Sequence, residues 1–230
     1  MSRKSKLLRF AELDSFANSF QCTDPDAQKV RRSDGTEFEA KGCWNKEVFG
    51  NSNPLIIELA CGKGEYTVSL AQAHADINFI GIDIKGNRMH RGAKKGLALG
   101  LKNAAFLRIR IEWIMNHFGI GELSEIWITF PDPFLKNSKA NRRLTSPMFL
   151  NRYKILLKKD GIAHLKTDSP ELYAYTLETL KFYPGIQIIT ESENIDKDGL
   201  TKDDLAIQTY YEGMHRAEGK SIKYVSWKYQ

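Results

Sequence analysis

Cysteine is scarce in this sequence, with 3 cysteines among 230 residues. Cys22, Cys43 and Cys61 have no C-x-x-C spacing and are odd in number, which excludes a disulfide framework and predicts free thiols in a reducing compartment. The 5 histidines are scattered without the spacing of metal ligands, so no metal site is predicted. Long apolar runs and the apolar segment of a signal peptide are also missing. We therefore expect a cytoplasmic protein that uses neither a metal nor a membrane.

The composition is that of a globular protein, with 42% apolar, 27% charged and 11% aromatic residues. A chain of 230 residues is long enough for one α/β domain with an extension. We assign residues 1–52 to a basic, partly disordered N-terminal extension and residues 53–230 to the domain. The net charge of +6 favours an anionic partner.

Acidic residues are absent between Asp83 and Glu112, although this stretch is rich in cations. Its cations are Lys85, Arg88, Arg91, Lys94, Lys95, Lys102, Arg108 and Arg110. Like charges at helical spacing destabilise a helix, so a compensating partner is expected. A nucleic-acid backbone, with one negative charge per phosphate, is such a partner.

Apolar stretches and helix-like stretches alternate from residue 54 to about residue 182. This alternation predicts a parallel sheet with crossover helices. Two further apolar stretches follow, so seven strands are expected, beginning near residues 55, 78, 104, 125, 161, 186 and 223. Helices are predicted over residues 65–75, 87–99, 111–118, 146–158 and 169–182.

The first of these strands runs into a glycine turn. Gly62 and Gly64 allow close approach of a ligand, and the helix that follows points its positive end at the turn. Thr67 stands where a dinucleotide-binding turn has its third glycine, and Glu58 would repel a pyrophosphate. Asp83, about 20 residues beyond the glycines, has the spacing of a carboxylate that binds ribose hydroxyls. A positively charged nucleoside without phosphates, such as S-adenosylmethionine, fits these residues.

The fourth strand leads into a second candidate ligand-binding segment, Phe130-Pro131-Asp132-Pro133-Phe134. Two prolines fix the backbone around Asp132, and Phe134 can stack on a base. Four cations follow without an acid: Lys136, Lys139, Arg142 and Arg143. We expect this segment to bind a nucleobase, with Arg142 and Arg143 on the RNA backbone.

Together these segments resemble the tRNA (guanine-N7-)-methyltransferases of the bacterial TrmB type. The resemblance includes the Lys166-Thr167-Asp168 segment and a T-x-x-E motif at Thr209–Glu212, and it covers about residues 54–227. It implies a Rossmann-like class I methyltransferase fold: a seven-stranded, mostly parallel sheet with an antiparallel last strand and helices on both faces. The activity it implies is methyl transfer from S-adenosylmethionine to N7 of guanine 46 in the tRNA variable loop. A monomer or a homodimer is expected.

The resemblance also assigns roles to single residues. It implies that Asp132 is catalytic and that the cofactor is bound by Glu58, Gly62, Gly64, Asp83, Ile111 and Asp132. Substrate contacts are implied for Lys136, Asp168, Thr209 and Glu212. The chain departs from the family pattern at Phe134, Lys139 and the Arg110-Ile111 pair, where the family has Trp, His and Asp-Ala.

Guanine N7 carries a lone pair and no proton, so its methylation needs no general base. Asp132 or Asp168 is expected to accept hydrogen bonds from the guanine edge as positive charge develops on the purine. Three alternatives stay open: a methyltransferase acting on an exocyclic amine, a nicotinamide-dependent oxidoreductase, and a non-catalytic RNA-binding module.

Overall fold

The protein is described by a computed structural model that covers residues 3–230. Its ten strands are β1 Ser19–Gln21, β2 Lys29–Arg31, β3 Glu37–Glu39, β4 Leu55–Leu59, β5 Asn78–Asp83, β6 Ala104–Arg108, β7 Leu123–Thr129, β8 Leu157–Thr167, β9 Ile186–Ser192 and β10 Lys223–Tyr229. Its α-helices are α1 Arg3–Asp14, α2 Glu65–Ala73, α3 Gly86–Ala98, α4 Ile114–His117, α5 Pro147–Leu156, α6 Pro170–Phe182 and α7 Tyr210–Ala217. Short 3₁₀ turns cover Ile111–Trp113, Asn137–Arg142 and Asp203–Ala206, and a π-turn covers Asn45–Phe49.

All ten strands form one sheet in the order β3-β2-β1-β6-β5-β4-β7-β8-β10-β9. Strands β4 to β8 pair in parallel, and β10 is antiparallel to both of its neighbours. Strands β4 and β5 are buried along their whole length, which explains why both are mostly apolar up to the acids Glu58 and Asp83 near their carboxyl ends. The predicted class I arrangement, with its antiparallel last strand, is confirmed in β4–β10.

The strand count differs from the prediction, because three strands come from the segment before residue 53. Strand β1 pairs in parallel with β6, and β2 and β3 continue the sheet beyond it. Each of these strands has only three residues, too few for a period to be visible in the sequence. The division of the chain at residue 52 stays a prediction.

Helices cover both faces of the sheet, as predicted. Helices α4, α5 and α6 contribute to one apolar cluster, which also contains the fully buried Trp44. Helices α1, α2 and α3 contribute to two clusters built on other residues of the sheet. The parallel strands therefore have the cover on both sides that their apolar sequences require. Within residues 3–230, none of the helices has the length and apolarity needed to cross a membrane.

Candidate nucleoside-binding and RNA-binding site

A cavity of about 390 Å³ lies at the carboxyl ends of the central strands. It is lined by the ends of four neighbouring strands and the segments that follow them: Ala60 after β4; Asp83 at the end of β5, with Ile84, Lys85 and Arg88 after it; Arg110, Ile111 and Glu112 after β6; and Phe130, Pro131, Asp132, Phe134 and Arg142 after β7. Ligands of open α/β sheets bind at this edge. The cavity therefore brings together two of the predicted acids, Asp83 and Asp132, and several of the predicted cations from separate parts of the sequence.

The backbone is strained where it turns into this cavity. Ala60, Phe130 and Phe134 have positive φ angles of 58°, 47° and 41°, in the region that non-glycine residues rarely adopt. Gly62 and Gly64, with φ angles of 54° and 66°, continue the turn after Ala60. Residues held in such conformations cost about 1–3 kcal/mol each and concentrate at ligand sites.

Asp83 is held rigidly at the cavity wall. Its Oδ1 accepts a hydrogen bond from Lys85 N at 2.8 Å, and its Oδ2 accepts one from Gly62 N at 3.0 Å. The residue is only 8% exposed, so the carboxylate cannot turn away. Each carboxylate oxygen can accept a second hydrogen bond, which suits a vicinal diol.

Glu58 lies outside the cavity lining, although the resemblance implies that it binds the cofactor together with Asp83 and Asp132. Its Oε2 accepts hydrogen bonds from the Thr67 amide at 2.9 Å and from the Thr67 hydroxyl, and its Oε1 accepts one from Thr129 Oγ1 at 2.5 Å. Burial, with a smaller contribution from Asp83, raises the pKa of Glu58 to about 7. Thr67 stands where a dinucleotide-binding turn has its third glycine, and here it donates hydrogen bonds to Glu58 at the end of β4.

The 130–135 loop, which follows β7, brings Asp132 to the cavity. Phe130 N donates to Lys166 O at 2.8 Å, so the loop begins anchored to the neighbouring strand β8. Asp132 is exposed between its two prolines. The Arg142 guanidinium lies 4.6 Å from the centre of the Phe134 ring, and both residues line the cavity. An acid, an aromatic ring and a cation therefore meet at one rim.

The two adjacent arginines of the sequence occupy different places. Arg142 is exposed, whereas Arg143 is 6% exposed and lies under the 130–135 loop. Arg143 donates to the carbonyl oxygens of Pro133, Phe134 and Leu135. The structure thus puts Arg142, but not Arg143, on the surface where the sequence predicts RNA contacts for both.

The remaining predicted substrate residues lie beside the cavity. Lys136 is exposed at the start of the 3₁₀ turn that follows the loop. Asp168 contacts His215 Nδ1 at 3.4 Å and Lys220 Nζ at 3.5 Å. The His215 ring in turn stacks on Phe130, with 6.2 Å between ring centroids. Asp168 is therefore connected to the 130–135 loop through His215.

The T-x-x-E motif forms the beginning of helix α7, which was not predicted. Thr209 Oγ1 accepts a hydrogen bond from Glu212 N at 3.1 Å, as an N-cap residue does. Glu212 is 1% exposed and pairs with the fully buried Lys166 at 2.8 Å. Ser or Thr followed by Glu three residues later is a helix-start pattern, so this signal was available in the sequence.

Sequence reasoning did not assign a role to Lys166 or Lys63, which both hold helix α7 in place. Lys166 Nζ donates to Leu205 O at 3.0 Å and Ile207 O at 2.9 Å, which fixes the segment before α7 onto β8. Lys63, inside the glycine turn, lies 3.2 Å from the ring centre of Tyr210 on α7. Helix α7 therefore touches the glycine turn and is bound to the end of β8. No cluster of metal-ligating side chains is found in the described part of the chain.

Similarity to known proteins agrees with this geometry. A family model described as "Putative methyltransferase" matches residues 52–225. A tRNA (guanine-N(7)-)-methyltransferase of Christiangramia forsetii is 47% identical over 229 residues, covering 99% of both chains. One of Bacteroides thetaiotaomicron is 44% identical, covering 98% of this chain and 86% of the relative.

Solved structures show the same fold at low sequence identity. One is a variant of the 16S rRNA (adenine(1408)-N(1))-methyltransferase from Catenulisporales acidiphilia, solved with cosubstrate SAM. It has a TM-score of 0.55 and 12% identity, covering 84% of this chain and 93% of that chain. At this identity the similarity concerns the fold alone.

Proposed function

Since this chain belongs to the tRNA (guanine-N(7)-)-methyltransferase family, we propose that it methylates N7 of a guanine in tRNA, with S-adenosylmethionine as methyl donor. The observation that carries the proposal is the shared cavity of Asp83 and Asp132, which has cations around its rim. The buried Asp83 can accept hydrogen bonds from the ribose of the donor, and the exposed Asp132 can accept them from the guanine base. The cations can bind the phosphates of the tRNA. With tRNA as its substrate, the protein would act in the cytoplasm.

The cavity wall offers a hydrogen-bond acceptor for the ribose of S-adenosylmethionine and an apolar surface for its purine. Asp83 retains acceptor capacity for a ribose diol after its two backbone hydrogen bonds. Ile111, also at the wall, offers an apolar surface to a purine. S-adenosylmethionine would supply an electrophilic methyl group at this site. Glu58, held by Thr67 and Thr129, would act by fixing the glycine turn formed around Gly62 and Gly64.

Asp132 is the acid that we assign to the guanine. It lines the cavity, whereas Asp168 lies beside it with His215 and Lys220. Guanine N7 carries an in-plane lone pair and no proton, so the chain needs no general base there. As N7 becomes alkylated, the N1–H and amino groups of guanine become more acidic, and a carboxylate accepting from them stabilises the transition state more than the ground state.

The tRNA backbone would lie along the exposed side of α3. Lys85 and Arg88 line the cavity, and Arg91 and Lys95 are exposed further along the same helix. Burial lowers the pKa of Lys63, and the nearby Arg91 and Arg88 lower it further. Cations crowded in this way gain a partner when phosphates bind. Lys136 and Arg142 extend the same charge across the 130–135 loop.

Methylation of bulk tRNA with labelled S-adenosylmethionine, followed by nucleoside analysis, tests the proposal. We expect the label in 7-methylguanosine. Label in an N-methylated adenosine or cytidine would favour the amino-base alternative. Absence of any labelled nucleoside, together with no thermal stabilisation by S-adenosylhomocysteine, would favour the non-catalytic RNA-binding module.

A further inference from the structure

Arg143 has donors placed against three consecutive carbonyl groups of the loop that bears Asp132. Its Nε lies 3.2 Å from both Pro133 O and Phe134 O, and its Nη2 lies 3.0 Å from Phe134 O and 3.3 Å from Leu135 O. A guanidinium is a planar fork of fixed geometry, which a lysine ammonium cannot reproduce. One side chain therefore fixes the path of the backbone through residues 133–135.

This backbone needs such support, because Phe134 has a φ of 41° and carries a side chain. A non-glycine residue in this region persists only when its surroundings hold it there. The Arg143 guanidinium itself lies 4.2 Å from the centre of the Tyr175 ring on α6. Arg143 N also donates to Ala140 O at 3.0 Å, so its own position is fixed from two sides.

We propose that Arg143 is a positioning residue for methyl transfer: it holds the 130–135 loop so that Asp132 and Phe134 face the cavity. This inference rests on the proposed function and goes beyond it, because it assigns the second arginine of the pair to the loop instead of the RNA. Arg143 touches neither tRNA nor the donor. Its loss acts on kcat through the placement of Asp132.

The test compares two matched substitutions in adjacent residues, Arg143→Lys and Arg142→Lys, both of which keep the positive charge. For Arg143→Lys we expect kcat about 100-fold lower, as for a misplacement of about 1 Å, with KM for tRNA and the salt dependence of kcat/KM unchanged. The native Arg142 guanidinium is exposed at the rim, so for Arg142→Lys we expect a raised KM for tRNA and little change in kcat. A raised KM with native kcat in Arg143→Lys would overturn the proposal.

Limited trypsin digestion of the native fold reports on the loop without any activity measurement. Cleavage after Lys136 or Lys139 should be about tenfold faster in Arg143→Lys than in the native protein, because the local opening of the segment becomes easier. Arg142→Lys should be cleaved there at the native rate. Equal cleavage rates in both variants would contradict the inference, as would a failure of Arg143→Lys to fold, since the effect is assigned to the loop alone.

The two readouts separate this inference from the proposed function. If the native protein does not methylate tRNA, the proposed function fails, whereas the digestion result still decides whether Arg143 holds the loop. If native methylation is found and Arg143→Lys keeps the native kcat, the positioning role fails alone.

Discussion

Two acids at the cavity differ in what holds them in place. Asp83 is buried and fixed by two backbone hydrogen bonds, whereas Asp132 is exposed on the loop that carries it. A fixed, buried acid is pre-organised for a ligand that binds in one orientation, such as a ribose. An exposed acid can meet a base that arrives from solvent as part of a large RNA.

Replacing Asp132 by Asn should reduce turnover while the fold is kept. The amide keeps the size of the carboxylate but loses the negative charge that stabilises the alkylated purine, so kcat should fall by about 10²–10³-fold. Because the residue is exposed, the free energy of unfolding should change by no more than about 0.5 kcal/mol. Steady-state kinetics and urea unfolding measure the two effects. Near-native kcat would remove Asp132 from the mechanism.

Glu58 makes the stability of the protein depend on pH in an unusual direction. The carboxyl ionises near its ordinary value of 4.5 in the unfolded chain and near 7 in the folded protein, where burial disfavours the charge. The folded state therefore binds more protons between these values. The stability that Glu58 contributes is fully present below pH 4.5 and is lost as the pH rises through 7.

Glu58→Gln should remove this loss, because an amide does not ionise. Relative to the variant, the native protein should lose on the order of 3 kcal/mol of unfolding free energy between pH 4.5 and pH 8. Urea unfolding of both proteins at several pH values gives the difference directly, since other titrating groups cancel. Parallel curves for the two proteins would show that Glu58 ionises normally in the folded state.

At the scale of elements, helix α3 shows why an acid-free stretch is tolerated. Gly92 of α3 packs directly on the glycine turn: a Cβ added there would lie 2.7 Å from Lys63 O and 2.9 Å from Gly64 Cα. The opposite side carries exposed cations, among them Arg88 and Arg91. Packing around Gly92 holds the helix in place, so the cations on its opposite side are available to bind an anionic partner.

Arg88→Ala should weaken tRNA binding in a salt-dependent way. Loss of one phosphate contact should reduce the slope of log Kd against log salt by about 1. Lys181→Ala is a matched control, because Lys181 is also exposed but lies on α6, among residues of another surface groove. Titrations of tRNA at several salt concentrations compare the two. An unchanged slope for Arg88→Ala, or equal changes in both, would exclude α3 from the RNA contact surface.

The strands and helices around the cavity could be predicted because their signals are local. The strand ending at Asp83 and the glycine turn were read from continuous apolar runs and the residues that end them. The contacts of Glu58 and Arg143 could not be predicted, because they depend on how separate segments pack against one another in three dimensions. Glu58 meets Thr129, 71 residues away. Arg142 and Arg143 are identical in chemistry, and only the packed loop separates their environments.

At the scale of the whole molecule, residues 3–52 pack against the domain that follows them. Trp44 is fully buried, stacks on Phe118 with 5.5 Å between ring centroids, and donates a hydrogen bond to His117 O at 2.8 Å. Strand β1 also covers the edge of β6. These contacts join the N-terminal segment to the sheet that bears the cavity.

Trp44→Ala should therefore destabilise the whole protein in a single transition. The loss of a buried tryptophan costs about 3–5 kcal/mol. Ile120→Ala is the control, since Ile120 is 84% exposed and its truncation should change little. Urea unfolding followed by circular dichroism measures both. Two separate transitions would show that the N-terminal segment unfolds independently of the domain.

The claim that guanine N7 is the methylated atom has the most direct test in the substrate itself. A tRNA transcript made with 7-deazaguanosine in place of guanosine keeps the phosphates and the Watson–Crick edge but has no N7. We predict that it binds with the same salt dependence as the unmodified transcript and accepts no labelled methyl group from S-adenosylmethionine. Methylation of the 7-deaza transcript at the native rate would contradict the account.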